Sequence, residues 1–148
     1  MHRAAVVMVF AAVAVAAPVP KAVKPKATNF DGTWELVEQS NDNRPVATIS
    51  PWRWTIDGDA LTRASGTGDG SFRPYTQPAL FVRPADAQSN EMDYVPDAGR
   101  RESVCPGRAV IENDEFVVCW TSAGKPRPAE LKPGPGVNYY RFKRVKDK

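Results

Sequence analysis

Histidine is almost missing from this sequence. The only one is His2, which lies in a short apolar N-terminal segment that we expect to be removed. Without imidazole, the chain has no Ser-His or Cys-His nucleophile system and no histidine-based metal site. Its carboxylates are scattered, and none of Asp57, Asp59, Asp93 and Asp97 is singled out as half of a catalytic pair. We therefore expect no enzyme, no metal and no cofactor.

Cysteine is nearly as scarce, because Cys105 and Cys119 are the only two. A pair in an exported protein favours a disulfide. A two-residue turn at Asn113-Asp114 would place Cys119 opposite Arg108, which leaves Cys105 about 10 Å away along the strand at ~3.3 Å per residue. A disulfide needs Cα atoms within about 7 Å. Two interpretations stay open: a disulfide made through a bend at Pro106-Gly107, or two buried thiols.

The sequence also lacks the periodicity of amphipathic helices after residue 17. It contains instead about eight or nine short runs of strand-forming residues, with turn signals roughly every 8–14 residues. One run places Trp52, Trp54 and Ile56 on one face and Arg53 and Thr55 on the other. This pattern predicts an all-β sandwich or barrel.

The N-terminal segment has the composition of an export signal. Arg3 precedes an apolar run over residues 4–17, which is shorter than the roughly 20 residues of a membrane span. Ala14, Val15 and Ala16 fit a small-residue cleavage site. Residues 1–17 are therefore predicted to be a cleaved signal peptide, and an uncleaved N-terminal anchor is the alternative.

This interpretation divides the chain into three parts. Residues 1–17 are the signal peptide, residues 18–29 are a leader rich in proline and lysine, and residues 30–145 are the folded domain. We expect an exported protein of the periplasm, the cell envelope or the medium. After cleavage, no stable membrane span is expected.

Charge gives little support for a nucleic-acid partner. The chain has 20 Lys and Arg against 17 Asp and Glu, a formal net charge of +3, and its basic residues are scattered. Nucleic-acid binding domains carry clustered basic residues, so this function class is excluded. The lysines of the leader leave an envelope protein as a conceivable partner.

The strongest local pattern is a hairpin near the C-terminal end. Two β-rich runs, residues 108–112 and 116–121, flank Asn113-Asp114. Asn and Asp accept the positive φ that tight hairpin turns require. A two-residue turn here sets Glu112 opposite Glu115.

Several short motifs occur in a distinctive order, namely Asp31-Gly-Thr-Trp34, residues 58–61, residues 113–120 and Arg127-Pro128. In this order the chain resembles a lipocalin-like domain family that recurs in planctomycete bacteria, over about residues 30–145. The resemblance implies a small antiparallel β-barrel of about eight strands and no established activity. The sequence departs from the family pattern near residues 76–84 and 109–110, which affects the register of the middle strands.

The resemblance also implies how the barrel is closed. In lipocalins, the Trp of the Gly-x-Trp opening packs across the closed end against an Arg of the last strand. By this resemblance, Trp34 and Arg141 are expected to stack and to be structural, and Arg144 is a second arginine in the same strand.

Two functions remain open. The first is binding of a small apolar or amphipathic ligand in the barrel mouth, by aromatic side chains that we predict to line it: Trp52, Trp54, Phe72, Phe81, Tyr94 and Trp120. The alternative is a structural or protein-interaction domain whose barrel is filled by its own side chains, since small barrels occur in both forms. One packed cluster of the four tryptophans favours the alternative, whereas a concavity open to solvent favours the first.

Overall fold

The computed structural model describes residues 29–47, 50–83 and 90–146. The predicted signal peptide and nearly all of the predicted leader, residues 1–28, lie outside these ranges and stay predictions. No helix in the described ranges is long and apolar enough to cross a membrane. The regular elements are strands and one 3₁₀ turn at Arg101–Ser103, with the strands β1 Gly32–Asn41, β2 Arg44–Pro45, β3 Trp52–Asp57, β4 Ala60–Gly66, β5 Phe72–Pro74, β6 Ala79–Val82, β7 Glu91–Val95, β8 Cys105–Glu112, β9 Glu115–Thr121 and β10 Val137–Arg144.

Eight of these strands close into an antiparallel barrel. The ring runs β1–β3–β4–β6–β7–β8–β9–β10, and β10 pairs with β1 to complete it. The short strands β2 and β5 lie outside the ring, paired with β1 and β4. The predicted all-β barrel of about eight strands is therefore confirmed, and closure leaves the ring without free strand edges.

Alternation of apolar and polar residues directs one face of each strand inward. In β3, Trp54 and Ile56 are buried while Thr55 and Asp57 are exposed. In β9, Phe116, Val118 and Trp120 point into the barrel. Because successive side chains of a strand point to opposite faces, this pattern identifies the residues of β3 and β9 that face the interior.

The predicted hairpin is present between β8 and β9. Asn113 and Asp114 have φ values of 53° and 60°, as a type I′ turn requires at both central residues. Glu112 lies opposite Glu115, and Cys119 lies opposite Arg108. The register expected from the sequence is confirmed.

The barrel interior is dominated by aromatic rings. The largest fully buried side chains include Trp34, Trp54, Phe116 and Phe142. These four side chains belong to one interior cluster, in which aliphatic and small residues fill the space between the rings. The other buried members of the cluster are Phe30, Leu36, Ile56, Leu61, Ala79, Phe81, Met92, Tyr94, Ala109, Val118, Trp120 and Tyr140.

A β-bulge divides β1 into two halves. Leu36 pairs with Phe142, and the next pair is Glu38 with Arg141, so Val37 is the extra residue. The bulge reverses which residues of β1 face inward. As a result, Glu38 lies on the outer surface, although simple alternation would place it on the same face as Trp34 and Leu36.

Gly107 in β8 has no room for a side chain. A Cβ atom there would lie 2.4 Å from the Cys119 carbonyl oxygen and 2.7 Å from the Met92 sulfur. It would also lie 3.0 Å from the Cβ of Trp120. The close approach of the β9 backbone to β8 therefore depends on glycine at this position.

We expect Gly107→Ala to lower the free energy of unfolding by about 1–3 kcal/mol, because the added methyl group overpacks the interior. Gly134→Ala is the matched control, since its Cβ would meet only Val137 at 3.6 Å, an ordinary contact distance. The control should change stability by less than about 0.5 kcal/mol. Urea denaturation of both variants measures this, and equal effects would contradict the packing argument.

Candidate functional site

One end of the barrel is closed by stacked side chains. Phe30 packs into this end with its ring centroid 5.1 Å from that of Phe81 and 5.6 Å from that of Phe116. The Trp34 indole N–H donates to the Phe30 carbonyl oxygen at 3.0 Å, and the Arg144 guanidinium lies 4.1 Å from the centre of the Trp34 ring. An indole, a phenyl ring and a guanidinium therefore plug the barrel here.

The closing arginine is Arg144 rather than the predicted Arg141. Arg141 points outward and pairs with the carboxylates of Glu38 and Glu115. Tyr140, Phe142 and Arg144 alternate along the inward face of β10, so Arg141 falls on the other face. The expected stack on the indole exists, but Arg141 has no part in it.

Trp54 is the centre of the interior. Its ring centroid lies 4.8 Å from that of Phe142, 5.7 Å from that of Tyr94 and 5.8 Å from that of Trp120. Trp120 in turn stacks on Tyr140 at 4.7 Å with only 7° between the ring planes. The rings form one continuous column from the closed end to the opposite end.

The opposite end carries polar groups among its aromatic rings. We call its members, Gln39, Trp52, Arg63, Tyr94 and Tyr140, the mouth cluster. Arg63 donates to the Tyr94 hydroxyl oxygen at 2.7 Å, and Gln39 donates to the Tyr140 hydroxyl oxygen at 3.2 Å. Trp52 stacks on Tyr140 with ring centroids 6.3 Å apart.

Arg63 is a half-buried cation whose described acceptors are all neutral. Besides the Tyr94 hydroxyl, it donates to the carbonyl oxygens of Pro96 at 2.9 Å and Gln77 at 3.4 Å. Its Nε–H and the indole N–H of Trp54 have no hydrogen-bond partner within the described ranges. These two N–H groups can therefore donate hydrogen bonds to an oxygen atom of water or a ligand.

Burial keeps the two tyrosines of the mouth cluster neutral. It raises the pKa of Tyr140 to about 12, and the neighbouring Tyr94 adds to this effect while the hydrogen bond from Gln39 opposes it. Burial also raises the pKa of Tyr94, against the opposing influence of Arg63. Both hydroxyls therefore stay neutral to a more alkaline pH than an exposed tyrosine does.

Five of the six predicted pocket residues lie together, but they fill the barrel. Trp54, Phe81, Tyr94 and Trp120 are buried members of the interior cluster, and Trp52 packs against it while half-buried. The predicted position of Phe72 has to be corrected. It lies on the outer surface, where the guanidinium of Arg53 covers its ring at 3.8 Å.

Both cysteines are free thiols in this structure. Cys119 lies opposite Arg108, so Cys105 is three residues further along β8. An odd separation puts the two side chains on opposite faces of the sheet. Cys105 packs against the interior, whereas Cys119 lies outside, beneath the loop that contributes the carbonyl oxygen of Glu130 at 3.6 Å. The geometry favours the interpretation as two separate thiols.

The Arg127-Pro128 motif fastens a loop to the outside of the barrel. Arg127 donates to the carbonyl oxygens of Met92 and Gly107, and to the Asp93 carboxylate at 2.9 Å. Arg108 reaches back and donates to the Pro128 carbonyl oxygen at 2.6 Å. These bonds join the loop to β7 and β8, which gives the motif a structural role.

The sequence prediction missed Arg63, Gln39 and Tyr140 at the mouth. Arg63 alternates with Leu61 on the inward face of β4, so the two-residue period contained the signal. Gln39 faces inward only because of the bulge in β1. No local pattern indicates that displacement.

The described residues contain no group of three or more His, Cys, Asp or Glu side chains arranged to hold a metal ion. A scan against protein-family models found no match, and a search of curated proteins found no significant match either. The resemblance to the planctomycete lipocalin-like family accordingly stays a prediction.

We expect Arg144→Met to destabilise the protein by about 1–2 kcal/mol, because it removes the cation above the buried indole and the hydrogen bond to the Asp31 carbonyl oxygen. Arg141→Met is the control, since it removes only exposed ion pairs worth at most about 1 kcal/mol. Chemical denaturation followed by tryptophan fluorescence compares them. A larger loss for Arg141→Met would contradict the assignment of Arg144 as the closing residue.

Stability should fall at alkaline pH as Cys119 ionises. Burial raises the pKa of this thiol from 9.0 to about 11 in the folded protein. The contribution of the neutral thiol to the free energy of unfolding is complete below pH 9. It is lost as the pH rises towards 11, at up to about 1.4 kcal/mol per pH unit. Denaturation at pH 8, 9, 10 and 11 measures the decline.

Cys119→Ala removes this titration while tyrosine and lysine ionisation continues. The difference between the parent protein and Cys119→Ala should therefore shrink above about pH 9. A difference that is constant with pH would show that the thiol is not held neutral by burial.

Proposed function

We propose that this protein is an exported interaction domain whose barrel is filled by its own side chains and which binds other proteins through its outer surface. The observation that carries this proposal is the burial of three of the four tryptophans among aromatic neighbours, with Trp52 half-buried against them. Trp34 and Trp54 are 0% and 1% exposed, and Trp120 is 7% exposed. These exposures leave little ring surface for a bound molecule.

Contacts across the barrel support the same proposal. Trp54 of β3 packs against Tyr94 of β7 and Trp120 of β9, and neither strand is a neighbour of β3 in the ring. The side chains thus meet across the interior. An interior of this kind stabilises the fold and holds the outer surface rigid, which suits recognition of a partner.

Export and family membership belong to the proposal as well. The apolar segment over residues 4–17 and the Pro/Lys-rich leader motivate an extracytoplasmic location, and the order of short motifs motivates the lipocalin-like family. The proposal assigns no catalytic activity. Its motivation is chemical, since the chain has a single histidine, inside the predicted signal.

A second function is favoured by one observation on the mouth cluster and the adjoining Trp54. The Nε–H of Arg63 and the indole N–H of Trp54 have no described partner, although both atoms are buried. A small amphipathic molecule with an acceptor group would satisfy these donors, with Trp52 against its apolar part. This is the ligand-binding function that the sequence suggests.

Native mass spectrometry of the mature protein, purified from its own envelope, distinguishes the two functions. The proposed interaction domain should give a clean apo mass, because a barrel filled by its own side chains would hold no small molecule. The parent protein should also show no saturable change in tryptophan fluorescence with 2-naphthoate or with lipid vesicles.

A co-purifying small molecule that is released on denaturation would contradict the filled-barrel proposal. Saturable quenching by 2-naphthoate that is lost in Arg63→Met but kept in Arg53→Met would support the mouth cluster instead. Arg53 is the matched control because its guanidinium lies outside the barrel, paired with Glu35 at 2.9 Å.

A further inference from the structure

A groove of about 410 Å³ lies on the outer surface of the barrel. Leu80 and Val82 of β6 point outward, because Ala79 and Phe81 between them are buried in the interior. Leu80 pairs with Val95 of the neighbouring strand β7. Together with Val104, which precedes β8, these side chains make an aliphatic floor.

Two carboxylates stand on opposite sides of this floor. Asp59 lies on the β4 side, where its carbonyl oxygen accepts the backbone N–H of Phe81 at 2.9 Å. Asp93 lies on the β7 side, directly opposite Val82. One oxygen of Asp93 accepts a hydrogen bond from Arg127, which leaves its second oxygen to accept another. The described lining of the groove contains no basic residue.

The charge of the groove is opposite to that of the whole protein. The chain carries a formal net charge of +3, yet the groove combines an aliphatic floor with two acids. Asp93 is already paired with Arg127, so Asp59 supplies most of the attraction for a basic partner, whereas an acidic partner would be repelled. Charge complementarity therefore selects an apolar partner with positive charge.

The spacing of the floor selects an extended partner. Leu80 and Val82 lie two residues apart on one strand, at ~3.3 Å per residue along the chain. An extended segment repeats its side chains with the same period, so alternate residues can enter the groove while the long side chains of the residues between them reach the acids at its sides. A volume of about 410 Å³ accommodates a few aliphatic side chains and not a folded element.

We propose that this groove docks an extended protein segment in which aliphatic side chains alternate with lysine or arginine. The aliphatic side chains contact Leu80, Val82, Val95 and Val104, and the basic groups reach Asp59 and Asp93. This inference rests on the proposed function as an interaction domain, because it names the surface and the class of partner.

The test is a titration of the full mature chain, labelled with ¹⁵N, with the capped peptide Lys-Leu-Lys-Leu-Lys. We expect saturable shifts in the amide signals of Leu80, Val82, Val95 and Val104. Affinity should fall several-fold between low salt and 0.5 M salt, because ion pairs at a partly exposed surface are screened. The peptides Glu-Leu-Glu-Leu-Glu and Lys-Ser-Lys-Ser-Lys test the charge and the apolar contacts separately, and both should bind more weakly.

Each substitution in the groove is compared with a similar substitution outside it, which shows whether the peptide binds at the groove. Asp59→Asn should weaken binding about threefold, while Asp57→Asn, an exposed acid of the same turn outside the groove, should leave it unchanged. Val82→Lys should weaken binding at least about tenfold through repulsion and lost apolar contact, while Val37→Lys on β1 should not. These positions are half-buried or exposed, so the fold is expected to persist.

Three results would overturn the proposal: equal binding of the acidic peptide, shifts that map away from the groove, or no binding at millimolar peptide. Hexylammonium binding as tightly as the peptide would also overturn it, since the groove would then be a small-molecule site. None of these results bears on whether the interior is filled, which the mass spectrum tests independently. A co-purifying ligand, in contrast, would contradict the proposed function and leave the peptide titration interpretable.

Discussion

The structure depends on one geometric constraint, the narrow interior of an eight-stranded barrel. A ring of this size leaves an interior just wide enough to be filled by side chains. Here aromatic rings occupy it, and Trp54 contacts residues from strands that are not its neighbours. The small residues Gly107 and Ala109 on β8 make room for these rings. Barrel closure and aromatic packing therefore require each other.

The two ends of the barrel are different in chemistry. At one end, Trp34, Phe30 and Arg144 form an apolar plug with a single cation on its outer side. At the other end, Arg63 lies among tyrosine hydroxyls and carbonyl oxygens. The outer surface has two further features, the loop held by Arg127 and the groove between β6 and β7.

Much of the fold was predictable because strands have a period of two. The inward faces of β3 and β9 and the turn at Asn113-Asp114 follow from local sequence alone. The same rule identifies Arg144, which shares a face with Phe142, although the resemblance pointed to Arg141. Phe72 was misplaced because β5 lies outside the ring and pairs only with the second half of β4. Such a departure has no local signature.

The sequence by itself determined an all-β chain, its hairpin register and the inward faces of β3 and β9, since backbone geometry and burial act on neighbouring residues. Only the tertiary structure decided that their aromatic rings meet across the barrel. It alone decided that Gln39 faces inward, and that Leu80 and Val95 line one groove. These outcomes depend on ring closure, the bulge in β1 and pairing between distant strands. Each arises from contacts between residues far apart in the chain, which a local pattern does not encode.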